Sequence, residues 1–381
     1  MGLLSRLSKY FIVLLFINGC ASSLIKIDTL KDGNPLLQYG GTSNRNFIYK
    51  QTFTRTIAEK WEAEINGGFS NSSVTIYDSA VFINDLSGRI YCFSLATGKT
   101  LGQLRYKGSI FTTPIIQKSL IIFAVVRDKE NISTLYFYDY KAGKELSSVE
   151  IEGRVTNQML KIDDGIILLS ETGHLYKYDY SGNLIWQYET KSYCHSSPSS
   201  NNKIIVLGND DGEIITVGNS NGKLIYRKKI ADPFFSGAVI YDEGVFIGND
   251  DGNLYSIDLN SGNVNWLFQT GAQIKMETVV TEDEIFIGNL RGEFYKLSKD
   301  GKKIWKLDTK GLLNVTPILT NDYLILPDAN KKVYFISRDN GEIINSLILD
   351  GRVKLNPVIN KNLLFIGYEN GNLKAYEFIQ Q

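Results

Sequence analysis

Five residues in this chain are of the types that do nucleophilic or metal chemistry near neutral pH: Cys20, Cys92, Cys194, His174 and His195. Cys194 and His195 adjoin, as a nucleophile and its base would need to be close. Neighbours on an extended segment point to opposite sides, so the two are not expected to cooperate. Cys92 falls at a slot that corresponding stretches fill with Lys177, Ser256 or Lys296, which fits an unreactive thiol. His174 follows Gly173 where a strand opens, a place taken elsewhere by Arg89, Glu213, Asn253 and Glu293, and is expected to be exposed. Cysteines and histidines show no CxxC and no metal-ligand spacing. Two copies of Gly-Asn-Asp-Asp-Gly, at 208–212 and 248–252, suggest calcium at first sight. A calcium loop wants carboxylates at alternating positions and a glutamate further on. Asp210-Asp211 and Asp250-Asp251 are adjacent pairs and read as turns. No Walker or HExxH pattern occurs. No catalytic, cofactor-binding or metal-binding residue is expected.

The duplication belongs to a longer pattern. Glycines at second turns, Gly98, Gly143, Gly182, Gly222, Gly262, Gly301 and Gly341, follow one another at steps of 45, 39, 40, 40, 39 and 40. A fixed period near 40 is the mark of a repeat architecture. The units are built of short apolar runs rich in Ile, Val, Tyr and Phe, which favour strands, separated by turns most of which carry a glycine. Some are Asp-Gly or Asn-Gly, as at 211–212 and 221–222, the preferred hairpin dipeptides, for which positive φ is asked at both central residues. Unit two replaces its first turn with a longer polar loop at 127–133. Third strands are apolar on both faces, as in Leu175-Tyr176, Leu254-Tyr255 and Phe294-Tyr295. A sheet apolar on both faces is covered on both faces, as sheets stacked radially are. The expectation is an all-β, eight-bladed β-propeller of four-stranded blades; a β-sandwich would not keep so regular a period. Unit eight supplies three strands, and the fourth is found at 59–65, where Trp61 matches Trp186, Trp266 and Trp305. The last blade is therefore closed by the N-terminal strand, which removes an open sheet edge.

Formal net charge is zero, which gives no basic face for nucleic acid. The N-terminus carries Arg6 and Lys9, then the apolar run Phe-Ile-Val-Leu-Leu-Phe-Ile at 11–17. That is the make-up of a secretory signal, and it is shorter than the roughly 20 residues of a spanning helix. Its end, Ile17-Asn18-Gly19-Cys20, resembles the bacterial lipobox, in which Cys20 would be acylated; ordinary cleavage near Ala21 is the other reading. Ala21-Ser22 resembles an outer-membrane sorting signal. The expected organisation is a signal peptide at 1–19, a lipidated Cys20 with a flexible tether over 20–56, and the propeller over 57–381.

The stretch Ser256-Ile257-Asp258-Leu259-Asn260-Ser261-Gly262-Asn263-Val264-Asn265-Trp266 resembles the tryptophan-docking repeat A-x-D-x-x-T-G-x-x-x-W of quinoprotein-type propellers. Trp61, Trp186, Trp266 and Trp305 would then wedge between blades. Eight such units behind a lipobox resemble the B-subunit lipoproteins of the outer-membrane β-barrel assembly machine. The resemblance implies a non-catalytic scaffold at the outer membrane, lipid-anchored and facing the periplasm. It would act as a monomer within a larger complex and bind the core assembly protein. That family's partner contacts are attributed to long connections entering the fourth and fifth blades, one carrying Leu and Arg, the other Asp. Here those connections, 191–197 and 231–237, are short and lack the pattern, so no contact residue carries over. By position and type the candidates are Tyr193, His195, Phe234 and Phe235, with packing as the other reading of the aromatics. Quinone-dependent dehydrogenases share the repeat, but resemble it with large insertions, an adjacent Cys-Cys pair and a carboxylate–Asn calcium site, all missing here. A propeller that binds a cell-wall or small-molecule ligand is the third reading.

Overall fold

The computed structural model describes residues 24–27, 35–230 and 232–379. They form eight four-stranded antiparallel sheets, and seven of these are built from four consecutive strands. Blade five is representative, with strands Val239–Tyr241, Gly244–Gly248, Asn253–Asp258 and Val264–Gln269 running from the centre outwards. Its third strand shows why both faces are apolar. Leu254 lies in a cluster with Ile285 and Phe286 of blade six. The next residue, Tyr255, lies with Val206 and Ile214 of blade four. Alternation along the strand thus sends successive side chains into two different inter-blade cores. The outermost strand has one uncovered face, and its burial alternates accordingly.

Blades dock through their outermost strands. The Trp186 ring lies over Gly222 of the next blade, and its Nε1–H donates to the Asn219 carbonyl at 2.9 Å. Trp61 does the same over Gly98 with the Leu95 carbonyl, Trp266 over Gly301 with Lys299, and Trp305 over Gly341 with Arg338. Tyr226 stands over Gly262 in the same way. The second-turn glycine is required twice, for its positive φ and for the ring packed on it: a Cβ on Gly222 would lie 2.6 Å from Trp186. In these turns the glycine alone takes positive φ; Asp211, Asp251, Asn221 and Ser261 do not. The turns are therefore longer than the two-residue hairpins expected, closing with Gly222 N–H on the Gly218 carbonyl and Gly212 N–H on the Asn209 carbonyl.

Blade eight runs Val358–Asn360, Leu363–Tyr368 and Asn372–Phe378, and Ile57–Glu64 completes it as the outermost strand. Ile57 pairs with Phe378 and Trp61 with Ala375. In unit two the expected longer loop is present but shortened, because Arg127, Ile132 and Ser133 belong to the flanking strands. Leu120–Arg127 and Ile132–Asp139 pair to their ends, Arg127 with Ile132, around a single 3-10 turn at Asp128–Glu130.

The expectation of a flexible tether fails over most of 20–56. Residues 36–49 travel round the inside of the ring and hydrogen-bond to one innermost strand after another. Leu36 pairs with Ile76 of blade one, the Leu37 carbonyl accepts from Ile116 of blade two, and Gln38 makes reciprocal bonds with Lys161 of blade three. Ser43 and Asn44 accept from Ser200 and Ile240, and Phe47 from Leu319 of blade seven. Tyr39 and Phe47 are buried, and Arg45 is wholly so, donating to the carbonyls of Pro198 and Gln158 at 2.8 and 2.9 Å. The chain then crosses to the outer edge, where Phe53 packs on Phe378 and the Arg55 carbonyl accepts from Asn345. Asn345 stands at the tryptophan position of blade seven, so this segment supplies the wedge that blade seven lacks. Gly102 holds that position in blade one, and there Ile25 fills the slot, with its Cα 2.9 Å from where a Gly102 Cβ would be. Such close pairing with the ring follows from backbone groups that must be satisfied inside a channel.

Candidate interaction rim

The ring has two faces. One carries the second turns; the other carries the first turns together with the connections that run from each outermost strand to the next innermost one. Four residues before each innermost strand, on the connection face, stand Asn71, Phe111, Thr156, His195, Phe235, Lys275, Asn314 and Lys354. Five of these, Asn71, Thr156, His195, Phe235 and Lys275, line one depression of about 140 Å³ at the channel mouth, floored by Tyr39 and Glu277. The repeat therefore places side chains far apart in sequence on one rim.

Three successive rim positions interlock. The His195 ring meets Phe235 edge-on at 5.7 Å, and Lys275 Nζ sits 3.8 Å from the centre of the Phe235 ring, within reach of a cation–π attraction. The first turns hold this row from beneath. Asp210 takes the His195 backbone N–H on Oδ1 at 3.2 Å and bonds the His195 Nδ1 through Oδ2 at 2.7 Å. Asp250 accepts from Lys275 Nζ at 2.9 Å and from Gln273 at 3.0 Å. The aspartates that read as turn-formers thus also fasten the connections. The hydrogen bond to Asp210 raises the His195 pKa above its usual value, against an opposing contribution from partial burial.

The four residues expected to face a partner separate into three groups. Tyr193 is 64% exposed and projects beyond the rim. His195 is exposed and Phe235 half-buried in the row just described. Phe234 is the correction: it is wholly buried, edge-on to Tyr255 at 6.0 Å and packed on Gly208. On an extended connection one of two adjacent aromatics must turn inward, and the missing Gly208 side chain leaves room for Phe234. The same alternation separates Cys194 from His195. Cys194 is fully buried with its thiol pushed up to about 12 by burial, and it touches Thr190 rather than the imidazole. Burial likewise raises the Cys92 thiol. His174 is half-buried rather than exposed, bonded to Thr172 at 3.2 Å. Cys20 lies outside the described residues. Among the described residues no cluster of three His, Cys, Asp or Glu could hold a metal.

The family model described as outer membrane protein assembly factor BamB matches residues 51–191, 123–306 and 250–378, which together run round the whole ring. The chain belongs to that family. No curated protein matches the sequence. Among solved structures it is similar to BamB from Moraxella catarrhalis, 16% identical with a TM-score of 0.72, over 85% of this chain and 100% of that one. It is also similar to the computationally designed Ika8 protein, 13% identical with a TM-score of 0.74, over 84% of this chain and 99% of that one. A third is the quinohemoprotein alcohol dehydrogenase ADHIIG from Pseudomonas putida HK5, 10% identical with a TM-score of 0.76, over 94% of this chain and 83% of that one. At these identities the likenesses establish the fold.

The fold alone leaves room for a quinone, so the site must be tested for fit. A cofactor needs an enclosed space with a few convergent polar groups. Here the centre of the ring holds Tyr39, Arg45 and Phe47 of the chain's own N-terminal segment. Tyr39 donates to Glu277 Oε2 at 3.0 Å, and Thr316 donates to the same carboxylate. A groove of about 480 Å³ on the second-turn face is lined by residues 41–44, 161–163 and 200–202 and is open to solvent. The residues at the channel do not fit a bound quinone.

Proposed function

We propose that this protein is a non-catalytic scaffold lipoprotein of outer-membrane β-barrel protein assembly. It binds the core assembly protein in the periplasm through the connection-face rim and is held at the outer membrane through Cys20. The observation that carries this reading is the family match round the whole ring, joined to a channel filled by the chain itself. The rim supplies what a transient protein interface uses: an exposed tyrosine, an aromatic ring at its centre, and charges already oriented by Asp210 and Asp250.

The experiment is a pull-down of the tagged, membrane-extracted protein from the cell that makes it. Recovery of the core barrel-assembly protein supports the reading, and loss of that recovery in Tyr193→Ala, with unchanged thermal stability, assigns the rim. Recovery of unrelated partners alone overturns the reading. Dye-linked alcohol or sugar oxidation after addition of pyrroloquinoline quinone and calcium would overturn its non-catalytic part.

A further inference from the structure

The described residues nearest Cys20 in sequence meet the ring toward the face opposite the rim. Leu24–Ile27 is clamped between blades one and two on the second-turn side. Ile25 is fully buried, the Ile25 carbonyl accepts from the Tyr138 hydroxyl at 3.0 Å, and Ile27 N–H donates to the Tyr140 carbonyl at 2.9 Å. The stem of Lys26 rests on Gly143. Four residue steps separate Leu24 from Cys20, which at full extension span about 14 Å. A lipid on Cys20 would hold this edge of the ring close to the bilayer surface, whatever path those residues take.

We propose that the outer edge of blades one and two is the surface this protein lays against an anionic lipid bilayer, an inference that rests on the acylation of Cys20 put forward above. The edge has the chemistry for it. Leu24, Leu101 and Leu146 are 60%, 37% and 52% exposed around the clamp. Lys26, Lys99, Lys141 and Lys144 are exposed beside them. Apolar side chains with lysines around them suit the boundary between acyl chains and anionic headgroups. The carboxylates nearest the clamp have partners, Asp139 accepting the backbone N–H of Lys141 and Ala142 and Glu145 bonding the Tyr106 hydroxyl. Glu150, paired with Arg127, and Glu152, 3.9 Å from His174, lie at the connection-face end of the same strand, away from the clamp. Composition alone does not single out this edge, because Ile304 of blade six is 52% exposed beside Lys302 and Lys303. The short leash does. With blades one and two at the membrane, the first-turn rim remains free for a protein partner.

The test uses the full chain with its own signal, produced in a bacterium that acylates lipoproteins and inserted into vesicles of phosphatidylethanolamine and phosphatidylglycerol. Leu101→Cys, Leu146→Cys and Ile304→Cys variants are labelled one at a time with an environment-sensitive fluorophore. Cys92 and Cys194 are buried and take no label in the folded protein. The expected result is a blue shift, with quenching by nitroxide lipids, at positions 101 and 146 and neither at 304. If mass spectrometry finds Cys20 acylated but all three positions are equally quenched or equally unquenched, the edge is wrong while the anchor stands. A mature protein without lipid on Cys20 overturns both.

Discussion

Removal of the Trp186 indole should expose how one blade is fastened to the next. The ring is 9% exposed, bonded through Nε1 to the Asn219 carbonyl, and lies on Gly222, whose φ is +63°. Truncation to alanine leaves a cavity between blades three and four and should cost about 3–5 kcal/mol. The Asn219 carbonyl keeps a second donor, Lys177 Nζ at 3.1 Å, so no acceptor is orphaned to add to that cost. Gly222→Ala should cost about 1–2 kcal/mol for a left-handed alanine, and about 1–3 kcal/mol more for a Cβ that overlaps the indole. In the Trp186→Ala background the overlap is gone, so Gly222→Ala should then cost only the backbone share. The four proteins form a double-mutant cycle, read as urea midpoints by far-UV circular dichroism. A coupling of about 1–3 kcal/mol is expected. Gly68→Ala is the control, since no atom lies within 4 Å of its would-be Cβ. Costs for Gly222→Ala that agree within about 0.5 kcal/mol in the two backgrounds would refute the docking account.

Three further outcomes follow from the same geometry. Deletion of residues 57–65 should leave the Asn372–Phe378 edge of blade eight unpaired and yield an aggregating protein; a soluble deletion variant with unchanged thermal stability would refute closure. Arg45→Ala should destabilise by about 3 kcal/mol, the scale for removing one partner from a buried charged network, and should open residues 35–50 to limited proteolysis; unchanged resistance would show that the segment does not depend on Arg45. The His195 pKa lies above its usual value of about 6.5, so its pairing with Asp210 stabilises fully below that value and fades as pH rises through the raised one. An NMR titration should therefore place the His195 midpoint above about 6.5, and Asp210→Asn should lower it; an unmoved midpoint would deny the pairing.

The architecture was legible because it is periodic. Strands and second-turn glycines recur near a 40-residue step, four of the eight blades carry tryptophan at one fixed place in that step, and the missing fourth strand of unit eight could therefore be matched to Trp61. The longer loop of unit two was legible in the hydrophilic residues at 127–133, of which Asp128, Lys129, Glu130 and Asn131 make the turn while Arg127, Ile132 and Ser133 lengthen the flanking strands. At the rim, type and position brought out Tyr193, His195 and Phe235 but not which of Phe234 and Phe235 turns inward. That choice depends on the room left at Gly208, in a different strand. Lys275 and Asp250 were missed as members of the row, although their offsets from the innermost strands and first turns could have found them.

The sequence by itself determined the ring: eight units, their strand order, their docking residues and the strand that closes them, since each depends on neighbours one period away. Only the tertiary structure decided what happens to 24–27 and 35–56. That segment meets successive blades by one or two hydrogen bonds at a time, and its partners are backbone groups of different strands. Such contacts impose no period and little side-chain preference on the segment itself. Its residues therefore read as a tether, although they fill the channel and occupy two of the slots where a docking tryptophan is absent.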